Sequence, residues 1–199
     1  ALPKSLDIPG AKLRGVVQSS YLLHMVSIYN QNTISRDRVP LIAGEHVGVI
    51  GCGNVAMDAA RTAVRMGAAS VSVIYHRTEA DMPAIQSEYQ EAVKEGVKFL
   101  WETSTQEFIG DEEGHVKAIR ATTPQGEQII PFDRIYLAIG SRPANRIVST
   151  TTGIDVDEAG YIIVKDRPFG MTTRKGVFAG GDVVHHPQTV VLAMKAAKQ

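Results

Sequence analysis

The chain has 199 residues, 44% of them hydrophobic, and a formal net charge of zero. This composition allows one large domain or two small ones, and the lack of a basic run argues against nucleic acid or an anionic membrane as a partner. A single cysteine excludes disulfides and all-cysteine metal sites within the chain. Without a signal-peptide pattern or a bilayer-spanning apolar run, the sequence predicts a cytoplasmic protein.

The first third of the sequence predicts an irregular lead-in followed by a β-α-β unit. A short strand near 16–17 and a helix over about 21–29 come first. An apolar strand near 47–50 then ends at a Gly-Cys-Gly turn, and a helix with one face of small residues begins at Asn54. A second apolar strand covers 71–75.

The middle of the sequence predicts a second helix and strand and then an antiparallel meander. A helix over 84–95 and a strand over 97–101 complete one mononucleotide-binding half. Meander strands are expected over 105–109, 115–123 and 127–131. A strand over 135–139 then returns to the sheet. We therefore predict a Rossmann-like α/β fold, with a parallel sheet and a β-meander crossover.

The last part of the sequence has a pattern that is typical of a flavin-binding segment. Short strands are expected at 160–164 and 176–182, followed by an apolar helix from Val190 to the end. A strand that ends in Gly-Asp before a helix can hold a ribityl hydroxyl group on Asp182.

The glycine turn after the strand at 47–50 has the spacing of a dinucleotide-binding fingerprint. Gly51 permits a tight bend, and Gly53 lets a pyrophosphate approach the backbone. Ala56 takes the third position of the G-x-G-x-x-G/A pattern. The N–H groups of Asn54, Val55 and Ala56 begin a helix, where unpaired donors favour an anion. The alternative interpretation is a tight structural turn without a ligand.

The end of the second strand predicts which dinucleotide is preferred. An NAD site places Asp or Glu there, whereas this chain has His76 and Arg77 after Tyr75. Because a guanidinium group suits forked bonding of a 2′-phosphate, we expect NADP(H) over NAD(H). His76 could add positive charge or stack on adenine. The alternative is that Arg77 forms an ion pair with Glu79 or Asp81.

Three other features suggest chemistry but have simpler interpretations. Cys52 has no second cysteine with which to form a redox pair. His185-His186 has no acidic or thiol partner at a spacing typical of metal sites. Asp58 is expected to pair with Arg61 or Arg65. We predict no catalytic side chains and no metal site, because in hydride transfer the cofactor carries the reactive atom.

Five segments together resemble the small (beta) subunit of NADPH-dependent glutamate synthase and related flavoproteins. These relatives include the NADPH-binding region of dihydropyrimidine dehydrogenase and subunits of NADPH–ferredoxin oxidoreductases. The segments are 6–10 (LDIPG), 51–61 (GCGNVAMDAAR), 82–84 (MPA), 138–140 (AIG) and 176–182 (GVFAGGD).

The resemblance implies a Rossmann-like, three-layer FAD/NAD(P)-binding fold in which an NADPH domain is inserted into an FAD domain. It also implies that hydride passes from NADPH to FAD. It assigns the pyrophosphate to 51–56 and the 2′-phosphate to His76 and Arg77. The other cofactor-binding residues that it implies are Ala138, Ile139 and Gly140 near the domain junction, Gly181 and Asp182 at the ribityl chain, and Thr189 and Val190 beside the flavin ring.

The resemblance also implies a division into domains. Residues 1–40 would be a return segment of the FAD-binding domain and a linker, 41–143 the NADP(H)-binding domain, and 144–199 the C-terminal segment of the FAD-binding domain. Because only one glycine fingerprint is present, we expect a fragment that binds NADP(H) and has FAD only in the full-length protein.

The expected partners are a pyridine nucleotide and, in the full-length context, a large synthase subunit or another acceptor subunit reached through iron–sulfur clusters. Three alternatives stay open at this point. They are a nucleotide-binding or sensing domain without turnover, an electron-input subunit for an acceptor other than glutamate synthase, and an interaction module that binds no nucleotide.

Overall fold

The computed structural model describes residues 2–144, 146–167, 169–185 and 190–198. The chain divides into two compact units. The larger unit is Ser5–Ile139, and the smaller unit combines residues 2–4 with those from 140 onward. None of the helices in these described ranges is long and apolar enough to cross a membrane.

A five-stranded parallel sheet forms the centre of the larger unit. Its central strands consist mostly of β-branched residues, which suit strands buried on both faces. In spatial order the strands are β2 (Val16–Gln18), β9 (Arg134–Leu137), β3 (His46–Ile50), β4 (Ser70–Ile74) and β5 (Lys98–Leu100).

Helices cover one face of this sheet and the antiparallel meander covers the other. The helices are α1 (Ser19–Asn30), α2 (Asn54–Arg65) and α3 (Gln86–Lys94). The meander strands are β6 (Ser104–Gly110), β7 (Val116–Thr123) and β8 (Gly126–Pro131). Alternate strand residues serve the two layers, since Val49 packs with the helices and Ile50 with the meander. The predicted three-layer fold and β-meander crossover are confirmed.

Small side chains let α2 lie close to the sheet. Ala56, Ala59, Ala60 and Ala63 are fully buried against the strands. The helix ends at Arg65, and Met66 is followed by Gly67 with φ +90°, a left-handed conformation that glycine adopts without steric cost. The face of small residues predicted from the sequence is therefore the face that contacts the sheet.

The arginines of α2 contact α3 and not Asp58. Arg61 forms ion pairs with Glu88 (2.6 Å) and Glu95 (2.8 Å), and Arg65 pairs with Glu95 (2.6 Å). Among the described residues, Asp58 forms no close ion pair with either arginine, although the Arg61 charge partly offsets the rise that burial causes in the pKa of Asp58. Two long side chains on α2 reach the neighbouring helix, where glutamates already offer better-placed acceptors.

The smaller unit has less regular structure than the sequence predicts. It contains the antiparallel pair β1 (Leu2–Pro3) and β10 (Ser141–Arg142), then α4 (Arg146–Thr150) and α5 (Val190–Lys198). The segments at 160–164 and 176–182 form isolated β-bridges instead of the predicted strands. Frequent glycines with positive φ reverse the chain before a longer ladder can form, at Gly160, Gly170, Gly176 and Gly181.

The two compact units do not coincide with the predicted boundaries at 40 and 143. Residues 5–40 belong to the larger unit, because β2 pairs in parallel with β9 and α1 packs with α2. Residues 140–143 belong to the smaller unit, where β10 pairs with β1.

A largely buried ion pair joins the start of β9 to the residue before β3. The Arg134 guanidinium donates two parallel hydrogen bonds to the Glu45 carboxylate, each 2.6 Å long. The two side chains are only 12% and 13% exposed. The Ile42 N–H also donates to Glu45 (3.0 Å). Removing one partner would leave a poorly hydrated charge.

We expect Glu45→Ala to lower the free energy of unfolding by about 3 kcal/mol, because it leaves the Arg134 guanidinium buried and unpaired. Urea denaturation at neutral pH measures the change. Glu127→Ala is the matched control: Glu127 is 61% exposed in its pair with Arg120, so its loss should cost about 0.5 kcal/mol. Equal midpoints for the two variants would contradict this account.

Candidate dinucleotide-binding site

The carboxyl ends of the parallel strands bring several predicted residues to one edge of the sheet. Ile50 lies opposite both Ile74 and Leu137, so the three strands end at the same level. The segments that follow them therefore lie at one edge of the sheet: the glycine turn, residues 76–77 and residues 138–139. The chain continues from β3 to β4 on one side, whereas β9 on the other side is reached through the meander. Ligands of open α/β sheets bind at such a reversal of strand order.

Gly51 is required by the fold itself. Its φ is +113°, and a Cβ atom there would lie 2.4 Å from the carbonyl oxygen of Ala138. Its N–H donates to the Ile74 carbonyl (3.0 Å). The turn is therefore held between the two neighbouring strands, and a side chain at this position would push against β9.

Gly53 has a different reason to be glycine. Its backbone (φ −87°, ψ 179°) is open to any residue, and a Cβ atom there would meet nothing within 4 Å. A Cβ atom at this position would not clash with the fold, so the space in front of the turn is open. A ligand that approaches the start of α2 would use that space.

The start of α2 offers fewer free donors than predicted. The Ala56 N–H donates to the Gly53 carbonyl (2.9 Å), because the first turn closes tightly, so this donor is already engaged within the turn. In the described part of the chain, the N–H groups of Asn54 and Val55 have no backbone acceptor, as is usual at a helix N-terminus. These two donors lie directly after Gly53, beside the open space.

The Asn54 side chain is already engaged. Its Oδ1 accepts a hydrogen bond from the Ile85 N–H (2.9 Å). This bond fixes the MPA segment at 82–84, which ends just before Ile85, beside the glycine turn. The predicted contribution of Asn54 to a cofactor is thereby limited to its backbone N–H.

His76 and Arg77 follow β4 and are both exposed. The alternative ion pair of Arg77 with Glu79 or Asp81 does not occur within the described ranges. Asp81 instead accepts hydrogen bonds from the Thr78 hydroxyl (2.7 Å) and N–H (3.3 Å). The Thr78 hydroxyl, and to a smaller extent the Arg77 charge, holds the pKa of Asp81 below its usual range. The Arg77 guanidinium is thus available to an outside anion.

A loop that sequence reasoning missed lies beside Arg77. The Glu102 N–H donates to the Arg77 carbonyl (2.9 Å), and the Thr103 N–H donates to the Tyr75 carbonyl (2.9 Å). Glu102 has φ +50°, which costs a non-glycine residue about 1–2 kcal/mol. The feature of the sequence that could have indicated this loop is an acidic residue, Glu102, just after β5, the strand that pairs with β4.

The three residues predicted at the domain junction fall on both sides of the division between units. The Ala138 N–H donates to the Ile50 carbonyl (2.8 Å), and Ile139 packs partly against the meander core. Gly140 begins the smaller unit with φ +87°, and its carbonyl accepts from the Lys4 N–H (3.0 Å). Ala138 and Ile139 thus lie at the same sheet edge as the glycine turn.

The predicted flavin-contacting residues belong to the smaller unit. Gly181 (φ +72°) and Asp182 begin a short 3₁₀ turn over Gly181–Val183. A Cβ atom on Gly181 would lie 3.5 Å from the Cβ of Ala193 on α5. Val190 starts α5 and is 76% exposed. Thr189 lies outside the described residues, as does His186 of the histidine pair considered for metal.

Residues 1–197 match the family described as pyridine nucleotide-disulphide oxidoreductase. The chain belongs to this family. It is 34% identical over 211 residues to the glutamate synthase [NADPH] small chain of Halomonas elongata, covering 96% of this chain and 44% of that relative. It is 36% identical over 169 residues to the Azospirillum brasilense small chain, covering 77% and 35%.

The fold is shared with thioredoxin reductases. The structure of the T. acidophilum enzyme superposes with a TM-score of 0.76 at 22% sequence identity, covering 97% of this chain and 58% of that chain. At this identity the likeness describes the fold alone. The chain spans less than half the length of the two glutamate synthase small chains that it matches.

The family description mentions disulphide chemistry, so the state of Cys52 matters. It is the only cysteine of the chain and is 2% exposed within the glycine turn. Burial, with a smaller contribution from the Glu79 charge, raises the pKa of the Cys52 thiol to about 12. The side chain is therefore a neutral thiol at physiological pH and packs as a small apolar group.

We expect Cys52 in the folded chain to resist iodoacetamide at pH 8, because a pKa of about 12 leaves roughly one thiol in 10,000 ionised. Mass spectrometry follows the modification over time, and the same chain in denaturant serves as the reactive reference. Modification of the folded chain at the denatured rate would show that the thiol is exposed and ionisable.

The two glycines of the turn should respond differently to alanine. Gly51→Ala should lower the free energy of unfolding by about 2 kcal/mol or more, because of its positive φ and the close Ala138 carbonyl. Gly53→Ala should lower it by about 1 kcal/mol or less, because Gly53 is the N-cap of α2, where alanine is less favourable than glycine. The same Gly53 variant should bind NADPH about tenfold more weakly, since the new methyl group occupies ligand space.

Thermal denaturation and calorimetric titration together measure both effects. If Gly53→Ala bound NADPH as well as the wild-type chain, the open space in front of the turn would not be the pyrophosphate site. If Gly51→Ala had wild-type stability, the turn would be able to relax away from β9.

Proposed function

We propose that this chain is the NADPH-binding part of a flavoprotein oxidoreductase that passes hydride from NADPH to FAD, as in the small subunit of glutamate synthase. One observation carries the proposal: the strand ends bring an open glycine turn and a guanidinium group that has no ion pair among the described residues to the same sheet edge. The family membership and the small-chain relatives support it.

The residues of the larger unit fit an NADP(H) molecule. The N–H groups of Asn54 and Val55 and the N-terminal dipole of α2 would hold the pyrophosphate over the space at Gly53. The exposed Arg77, with His76 beside it, would bind the 2′-phosphate through charge-assisted hydrogen bonds. When bound, the nicotinamide supplies the hydride, and the protein residues position it.

The residues proposed for FAD are less complete. Gly181, Asp182, Thr189 and Val190 would contact the ribityl chain and the flavin ring, but this sequence has only one glycine fingerprint. The proposed FAD site therefore depends on the rest of the full-length protein. In that context we also propose a cytoplasmic location and a large synthase subunit as the partner that receives the electrons.

We expect Arg77→Ala to weaken NADPH binding about tenfold or more, because a charged hydrogen-bonding partner of the 2′-phosphate is lost. NADH binding should change less than about twofold, because NADH lacks that phosphate. Calorimetric titration of the chain with each nucleotide measures both constants.

Arg38→Ala is the matched control. Arg38 is exposed, and in the described ranges it makes no ion pair. Arg38 lies in a 3₁₀ turn over Arg36–Arg38. The Arg36 side chain of this turn donates to the Met66 carbonyl at the far end of α2, away from the glycine turn. Equal loss of NADPH and NADH binding in Arg77→Ala would show that Arg77 does not recognise the 2′-phosphate. Binding of neither nucleotide by the wild-type chain would contradict the proposed function itself.

A further inference from the structure

The loop after β5 places a carboxylate next to the residue proposed to bind the 2′-phosphate. A backbone hydrogen bond of 2.9 Å joins the Glu102 N–H to the Arg77 carbonyl. Both side chains are exposed. This bond makes the two residues neighbours at the end of the sheet, and charges interact most strongly within the Debye length, about 8 Å at physiological salt. The Glu102 carboxylate and the Arg77 guanidinium therefore both extend from the edge at which a phosphate would bind.

The loop is held in position by its neighbours on both sides of Glu102. The Trp101 ring stacks on Phe99 with ring centroids 5.2 Å apart, and it meets Tyr75 edge-on at 6.3 Å. Thr103 is 4% exposed, and its hydroxyl donates to the Trp101 carbonyl (2.9 Å). Glu102 is thus the exposed apex of a rigid loop.

Nothing in the described part of the fold explains a glutamate at this apex. Its side chain makes no hydrogen bond or ion pair with the described residues. Its φ of +50° favours glycine or asparagine over glutamate. Asp81 also senses the Arg77 charge, but Thr78 already occupies its carboxylate. The backbone conformation closes the loop, but the choice of glutamate for it has no such explanation and points to a role in binding.

We propose that Glu102 sets the nucleotide preference of the candidate dinucleotide-binding cleft at this sheet edge by counteracting the positive charge of Arg77. Its carboxylate repels the 2′-phosphate of NADP(H) and accepts a hydrogen bond from the free ribose hydroxyl of NAD(H). An NAD site normally carries this acid at the end of the strand equivalent to β4. Here the neighbouring strand β5 supplies it, so the cleft retains affinity for NAD(H). This inference rests on the proposed function, because it requires that the cleft binds a pyridine nucleotide.

The test is calorimetric titration of the full chain and its Glu102→Gln variant with NADPH and with NADH. We expect the variant to bind NADPH up to about fivefold more tightly, the range for an exposed charge interaction. NADH binding should weaken. The gain for NADPH should shrink at about 0.5 M salt, where the Debye length is about 4 Å, a response that a purely structural role would not produce.

Two further variants control for folding and for net charge. Glu102→Asn suits the left-handed backbone and also removes the charge, so it should shift the preference in the same direction. Glu112→Gln removes an exposed charge in the turn between β6 and β7 and should change neither constant. Thermal denaturation checks that all variants fold.

Equal changes for the two nucleotides, or no change in either, would overturn the role of Glu102 while leaving the proposed function intact. If the wild-type chain bound neither nucleotide, the proposed function would fail first. The two failures are therefore distinguishable in one set of titrations.

Discussion

The register between β3 and its two parallel neighbours is the constraint on which the rest of the structure depends. Ile50 lies opposite both Ile74 and Leu137, and this alignment brings three strand ends to one level. A slip of one residue would exchange the helix-facing and meander-facing side chains of β3, and Val49 and Ile50 would each lose their core. The burial of β3 on both faces therefore fixes the fold and also the position of the strand ends at which the candidate site lies.

The sequence predicted the parts of the structure that follow from local patterns. The β-α-β unit, the small face of α2 and the β-meander crossover agree with the structure because each depends on periodicity or spacing within about 30 residues. The short strands at 160–164 and 176–182 were wrong because glycine turns interrupt pairing in the smaller unit.

Features that depend on contacts between distant segments could not be predicted. The salt bridges of Arg61 and Arg65 with glutamates in and just after α3 required the packing of two helices. The contact of Glu102 with Arg77 required the pairing of β4 with β5. In the cleft, the sequence identified the residue types at the strand ends but not which donors and charges remain unoccupied there.

The position of β9 in the sheet has a consequence for biosynthesis. This strand lies between β2 and β3 in the sheet but comes late in the chain, and Val16 pairs with Ile135. Such pairings between remote segments slow folding, because the connecting loop must close first. As the chain leaves the ribosome, β2 and β3 have no partner between them until β9 emerges. The unfinished sheet then exposes two strand edges, and unpaired edges of this kind make an incompletely folded chain prone to aggregation.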